Sequence, residues 1–264
     1  MPNKKRNFTF VSLQDQWQLS ESLLFNIGAR LDDYSDVGST FNPRFGLNWG
    51  ANEKLSIRLF AGSAFRAPSF ADLYAQNNPA SAGNIDIKPE KIWTYEFGAN
   101  YQFTDNLRSS VTLFSYNADS LIDYVLDEST GGDKAKNVGE QQAVGFEWEL
   151  HWRPIQNVDI SSNYSYTDSD DGKGNETANI AKQLGGLIIN WQATDNIHIN
   201  LASNWVMDRK RPKGDMRPPL KDYTLVTAKM SYQGIISGLE LSASVNNLLN
   251  EDIRHPSNGT IADD

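Results

Sequence analysis

The sequence has no cysteine, which excludes a disulfide scaffold and a thiolate metal site. It has no uninterrupted apolar run of the about 18 residues that a membrane helix needs. Any passage through a bilayer therefore falls to β-strands. It has no excess of basic charge. The net charge is −9 and the isoelectric point about 4.9, so the basic footprint of a nucleic-acid binder is missing. Aliphatic residues are scarce: the hydrophobic fraction is 39% and the mean hydropathy −0.53. No long segment carries a helical period. Met1-Pro2-Asn3-Lys4-Lys5-Arg6 is basic but no apolar stretch follows, so this start is not a signal peptide.

Aromatics, by contrast, are plentiful: 7 Trp, 10 Tyr and 12 Phe. Few aliphatics with many aromatics suit a wall of strands with one greasy face, one wet face and aromatic rims. The period is two almost throughout. Leu23, Phe25, Ile27, Ala29 and Leu31 alternate with Leu24, Asn26, Gly28 and Arg30; Trp93, Tyr95, Phe97, Ala99, Tyr101 and Phe103 alternate with Thr94, Glu96, Gly98, Asn100 and Gln102. Strict alternation of this kind marks half-buried strands. It predicts 12 strands, over 7–19, 23–34, 41–50, 55–65, 92–103, 107–125, 137–152, 158–167, 183–191, 197–206, 223–232 and 239–247. Many are ten residues or longer, as a tilted membrane strand of about 9–11 residues requires.

The connections alternate in length. Short ones fall at 20–22, 51–54, 104–106, 153–157, 192–196 and 233–238, and longer ones at 35–40, 66–92, 126–136, 168–182 and 207–222. Short periplasmic turns and long extracellular loops are the asymmetry of outer-membrane barrels. An aromatic stands at or near the start of every short turn: Trp17, Trp49, Phe103, Trp152, Trp191 and Tyr232. Six aromatics at one height predict a girdle at the periplasmic interface, where a ring meets the acyl boundary and its polar tip stays wet. Only Trp17 is uncertain as to face. Tyr34, Phe41, Phe65, Trp93, Tyr166, Trp205 and Tyr223 are expected to make a looser outer girdle. A soluble sandwich also alternates, but does not account for loop asymmetry together with a one-sided aromatic register. The fold expected is all-β: an antiparallel transmembrane β-barrel.

The same alternation sends Arg30, Asp32, Arg44, Arg58, Glu96, Glu147, Glu149, His151, Asp159 and His198 inward. Lipid cannot hold them, since an outward Arg or Lys at the midplane costs about 2–4 kcal/mol. They are expected to line a wet lumen; for any single one, solvating that lumen is the favoured reading over holding a plug. Asp168, Asp170, Asp171, Asn175 and Glu176 make an acidic loop whose spacing does not match the calcium-loop pattern. Arg209, Lys210, Arg211, Lys213, Arg217 and Lys221 make a basic one, suited to lipopolysaccharide phosphates or an anionic ferric chelate, or simply to solvent. His151, His198 and His255 have no metal-ligand spacing. No Ser-His-Asp arrangement or phosphate-binding glycine loop is present. No metal, cofactor or enzyme activity is expected.

Two segments go beyond generic alternation. Phe65-Arg66-Ala67-Pro68-Ser69-Phe70-Ala71-Asp72-Leu73-Tyr74 is followed by Gly83-Asn84-Ile85-Asp86-Ile87-Lys88-Pro89-Glu90 and then Tyr95-Glu96-Phe97-Gly98; Val245-Asn246-Asn247-Leu248-Leu249-Asn250 lies near the end. Pro68 and Pro89 forbid a continued ladder, so 66–91 reads as a long structured extracellular loop. Together these segments resemble TonB-dependent receptors, the likeness spanning essentially the whole chain. The resemblance implies a barrel of about 22 strands with a plug in its lumen, of which residues 1–264 would be roughly strands 10 to 21, without plug, TonB box or last strand. It implies energy from the TonB-ExbB-ExbD complex and a cargo of ferric siderophore, most of all, or else haem, cobalamin or glycan. Arg66, Phe70, Tyr74, Arg209 and Arg211 are the expected ligand contacts. The alternative is a passive or structural outer-membrane barrel.

Overall fold

A computed structural model describes residues 3–76, 81–129, 131–234, 236 and 238–256. The strands are β1 (Phe8–Ser20), β2 (Leu23–Tyr34), β3 (Gly38–Gly50), β4 (Leu55–Arg66), β5 (Ser81–Ala82), β6 (Glu90–Thr104), β7 (Leu107–Leu126), β8 (Asp133–Ile155), β9 (Val158–Asp170), β10 (Ala181–Thr194), β11 (Ile197–Arg209), β12 (Tyr223–Gln233) and β13 (Glu240–Val245). One short helix, α1 (Phe70–Tyr74), lies between β4 and β5. All but β5 follow one another in an antiparallel meander from β1 to β13, which form its two edges, while two-residue β5 pairs in parallel with β8.

The register shows which way the wall faces. One cross-strand row runs Trp17, Phe25, Leu47, Leu59, Phe97, Leu113, Phe146, Tyr166. The adjoining row runs Gln18, Leu24, Asn48, Arg58, Gly98, Thr112, Glu147, Ser165. Paired residues share a face, so one face is apolar and the other polar. The apolar row starts near the turn end of β1 and arrives, at Tyr166, close to the loop end of β9. That climb is the stagger of a tilted barrel wall.

Trp17, which alternation alone left open, packs its ring 5.6 Å from Phe25 and belongs to the outer face. Trp49, Phe103, Trp152 and Trp191 are likewise exposed beside their short turns, and Tyr232 is half-exposed, paired with Ile197 and Leu241. Two residues of the expected outer girdle are on the other face. Tyr34 pairs with Phe8, and Tyr223 with Val206, both on the lumen side. Alternation itself puts them there: Tyr34 continues the lumen phase of Arg30 and Asp32, and Tyr223 lies on the phase opposite Tyr232.

Other differences are at strand ends. The expected loop 35–40 shrinks to 35–37, because Gly38 takes a φ of +79° and pairs with Tyr34; a three-residue hairpin loop closed by a left-handed residue is a favoured turn. This one connection on the long side is thus as short as the turns at the other end, which run from two residues to six. β7 and β8 are 20 and 23 residues long. At about 3.3 Å per residue and a tilt near 45°, β8 rises roughly 50 Å, about twice the apolar band. The upper half of this hairpin therefore stands above the membrane. β13 is shorter than expected, ending at Val245; Asn247 and Asn250 adopt φ of +52° and +53°, and the chain turns away.

Candidate functional site

The loop between β4 and β6 folds into a small cap on the upper part of the β7–β8 hairpin. Pro68 has no N–H to continue the ladder, and Ser69 then caps α1. Ser69 Oγ accepts from the Asp72 N–H at 3.1 Å while Asp72 Oδ2 accepts from the Ser69 N–H at 2.8 Å. This reciprocal capping box supports a helix of only five residues. Leu73, Ile87 and Ala135 are its buried core, with Val37, Tyr74 and Ile122 packed around them. Asn84 bonds the Ala135 carbonyl at 3.0 Å. Asn137 accepts from the Lys88 N–H at 2.7 Å and donates to the carbonyls of Lys88 and Ser120 at 2.9 and 2.6 Å.

Arg66 binds the cap together. Its guanidinium reaches both oxygens of Glu90 at 2.5 Å, and Nη1 lies 3.5 Å from Asp72 Oδ2. Glu90 also accepts from the Ile122 N–H at 2.8 Å, beside the bulge where Ser120 adopts a φ of +58°. Tyr124 donates to Asp72 Oδ1 at 3.1 Å. Burial raises the Asp72 carboxyl, but bonds from Ser69 and Tyr124 and the charge of Arg66 more than offset it, holding it below its ordinary value. A depressed carboxylate stabilises the fold above its unfolded pKa. The cap is therefore held at neutral pH and loosens as pH falls through the lowered value of Asp72.

Arg66→Ala leaves Glu90 and Asp72, whose side chains are 14% and 11% exposed, facing each other without their cation. The expected cost is about 1–3 kcal/mol, that of carboxylates left without their partner. It should appear as faster hydrogen exchange at the Ile122 amide, only partly restored in Arg66→Lys, which loses the two-pronged geometry. Wild-type exchange in Arg66→Ala would contradict this role.

The structure brings Arg66, Phe70 and Tyr74 into one cluster. The rings of Phe70 and Tyr74 are 6.1 Å apart, with Arg6 5.1 Å above Phe70 and Lys4 5.1 Å above Tyr74. Arg6 also bonds Asp36 at 2.9 Å and the Pro68 carbonyl at 2.8 Å. Arg209 and Arg211 lie apart from it, Arg209 at the end of β11 and Arg211 on the loop that follows. Arg209 is buried, 5.3 Å from the Tyr223 ring, and donates to the Arg254 carbonyl at 3.1 Å. Arg211 donates to the Pro218 carbonyl at 2.7 Å and lies 3.9 Å from Asp215. Arg217, bonded to Asp215 at 2.6 Å, pulls that carboxyl down to about 2, with a smaller contribution from Arg211. In the acidic loop, Asp168 and Glu176 hold Lys182 at 2.8 and 2.6 Å.

Below the mouth, the inward charges pair across strands. Arg58 lies 3.5 Å from Glu96; Asp159 lies 3.4 Å from His151 and 3.5 Å from Arg153; Arg44 bonds Gln14. A polar recess of about 640 Å³ is lined by Asn100, Arg108, Ser110, Glu149, His151 and Asn163. Sequence reasoning passed over Arg6, Asp72 and Glu90. The pattern Ser69-x-x-Asp72 is the one local signal for the capping box; nothing local points to Arg6.

The family model for the β-barrel of TonB dependent receptor-like proteins matches residues 2–248. The chain belongs to this family. It is 25% identical, over 95% of its length, to an iron-regulated outer membrane virulence protein of Vibrio cholerae, covering 42% of that protein. It is 24% identical, over 87% of its length, to a vitamin B12 transporter of Vibrio vulnificus, covering 36% of it. Among solved structures, a ferric enterobactin receptor variant of Pseudomonas aeruginosa in complex with enterobactin superposes with a TM-score of 0.80 at 19% identity, over 96% of this chain and 42% of that one. At that identity the superposition shows the fold. The chain thus spans about two-fifths of the length of the relatives it matches, and it is an outer-membrane β-barrel segment. By their names, the Vibrio vulnificus relative is a transporter and the Pseudomonas aeruginosa protein a receptor.

Proposed function

We propose that residues 1–264 form part of the barrel of an energised outer-membrane importer of ferric siderophores. Membership of the TonB-dependent receptor family carries the reading. The polar lumen wall and the built extracellular cap agree with it. In this reading ligand binds at the mouth, near Phe70 and Tyr74. Phe70 is 39% exposed, whereas Arg66 serves chiefly as the clamp of the cap. Arg209 and Arg211 shape the neighbouring loop. A plug lying outside this chain fills the lumen against Glu96, Glu147 and Glu149 and couples to the TonB-ExbB-ExbD complex. Trp17, Trp49, Phe103, Trp152, Trp191 and Tyr232 meet the periplasmic headgroup boundary, and the basic loop faces lipopolysaccharide. The match to a vitamin B12 transporter keeps cobalamin as a second cargo.

The test is uptake of radioactive iron chelates, and separately of cobalamin, by cells expressing the natural full-length receptor, with and without a proton gradient. Iron uptake is expected to stop when the gradient is collapsed. Gradient-independent uptake points to a passive pore and sinks the proposal.

A further inference from the structure

On the outer face, the apolar row that reaches Phe146 and Tyr166 does not stay apolar. It runs on to Gln183 of β10 and then to Met207 of β11. An amide on a lipid-facing row is out of place in hydrocarbon, where every polar group needs a partner. One pair lower, the row is Trp148, Tyr164, Gly185, Trp205 and Thr224. Gly185 has no side chain, and the Trp205 indole fills the space. A Cβ at Gly185 would lie 2.5 Å from the indole Nε1 and 2.7 Å from Cε2. The ring therefore lies against the sheet and turns its other face outward. Tyr164 donates to Gln183 Oε1 at 2.8 Å, which fixes the amide and leaves its nitrogen to donate elsewhere. Among the described residues, neither that nitrogen nor the Trp205 N–H has a hydrogen-bond partner.

Tyr166 and Trp205 stand at the upper aromatic boundary, so this patch lies at the depth of lipid headgroups rather than of acyl chains. An aromatic belt that only meets that boundary needs neither a glycine seat nor a fixed amide. A flat indole beside two free donors and a hydroxyl suits a sugar ring, which has an apolar face to stack and hydroxyls that give and accept bonds. The neighbouring charge argues against a phosphate. Asp168, the next outward position above Tyr166 on β9, shares Lys182 with Glu176, so two carboxylates face one ammonium. We infer that Gln183, Tyr164 and Trp205 bind the sugar of an outer-leaflet glycolipid. The site lies on strands inside the sheet and faces away from the lumen, so it stands independently of the importer reading.

Three probes separate the cases: lipopolysaccharide, the same glycolipid stripped of its phosphates, and phosphatidylethanolamine. Each is titrated in detergent against the purified natural full-length receptor. Gln183→Leu suits a lipid-facing position and removes only the amide. It should weaken binding of both glycolipids about ten-fold, the effect of a lost hydrogen bond, and leave phosphatidylethanolamine binding as in wild type. Trp205→Phe keeps a ring on the Gly185 seat but removes the N–H, and a similar loss is expected. Unchanged glycolipid binding in both variants overturns the inference, as does a wild-type receptor that binds neither glycolipid. A loss confined to the phosphorylated form marks a phosphate site instead, and an equal loss for phosphatidylethanolamine marks general lipid contact; each also overturns it.

Discussion

Gly83→Val is expected to unseat the extracellular cap while leaving the barrel wall folded. A Cβ at residue 83 lies 2.6 Å from the Leu73 carbonyl carbon and from the backbone nitrogens of Tyr74 and Ala75. All three are backbone atoms of the end of α1, so no flexible side chain can give way. The segment 83–84 must withdraw, breaking the bonds from Gly83 N–H to Ala75 at 2.9 Å and from Asn84 N–H to Asp72 at 2.8 Å. Leu73 and Ile87 then lose their cover. Overpacking of about 1–3 kcal/mol and two broken hydrogen bonds at about 1 kcal/mol each give a local cost of roughly 3–5 kcal/mol. Hydrogen exchange across 69–90 should accelerate by two orders of magnitude or more, with β10 and β11 unchanged. Gly131→Ala is the control. Gly131 has a φ of +72° but nothing within 4 Å of its Cβ position, so only backbone strain of about 1–2 kcal/mol is incurred. Wild-type protection of 69–90 in Gly83→Val would refute the packing role.

Leu113→Lys should cost about 2–4 kcal/mol in a lipid-folded barrel, because it places an ammonium on the lipid face. Leu113 sits on the apolar row between Phe97 and Phe146, six residues above the turn end of β7. Three positions nearer that turn, Ser110 faces the lumen and donates to Glu149 at 3.3 Å. Ser110→Lys places the same charge beside a carboxylate in water, and the effect should stay within about 0.5 kcal/mol, as for ordinary wet-surface substitutions. The comparison is read by urea unfolding of the full-length receptor in vesicles. Equal destabilisation by the two lysines contradicts the assignment of faces.

These faces were legible in advance for most of the wall. Alternation is strict over 41–49 in β3 and 93–103 in β6 and nearly so in β2, β4 and β11, where Leu24, Phe60 and Val206 are the large apolar residues on the lumen face, and a period of two is a property of the strand itself. The aromatics beside short turns were legible for the same reason, since each lies within a few residues of its hairpin. β1 was not legible. It carries apolar residues on both phases, Phe8 and Phe10 on one and Val11, Leu13 and Trp17 on the other. A shift of one residue in pairing exchanges the faces entirely, and only the pairing of Gln14 with Gly28 and Trp17 with Phe25 chooses between them. The choice puts Asp15 on the outer face, where it accepts from the Trp17 indole N–H at 2.6 Å.

The candidate site was legible as a place but not as an arrangement. Pro68, Gly83 and Pro89 mark a structured loop, and Phe70 and Tyr74 fall together because they are four residues apart on one helix. Arg66 read as a free cation for a ligand. Its partners, Glu90 and Asp72, become neighbours only when β4 and β6 pair and α1 folds back between them. Arg209 read as an exposed loop arginine and is buried against Tyr223, which β12 supplies.

By itself, then, the order of residues determined the strands, their two faces over most of the wall and the placing of aromatics beside the short turns, because each of these depends on neighbours along the chain or across one hairpin. Tertiary structure decided which arginines are committed to carboxylates, how the cap seats on the β7–β8 hairpin, and that Phe8, Phe10 and Tyr34 line the mouth. Those outcomes depend on contacts between residues tens of positions apart, such as Arg6 with Pro68 and Asn84 with Ala135. No periodicity encodes such contacts; they form only when the strands pair in register and bring the distant segments together.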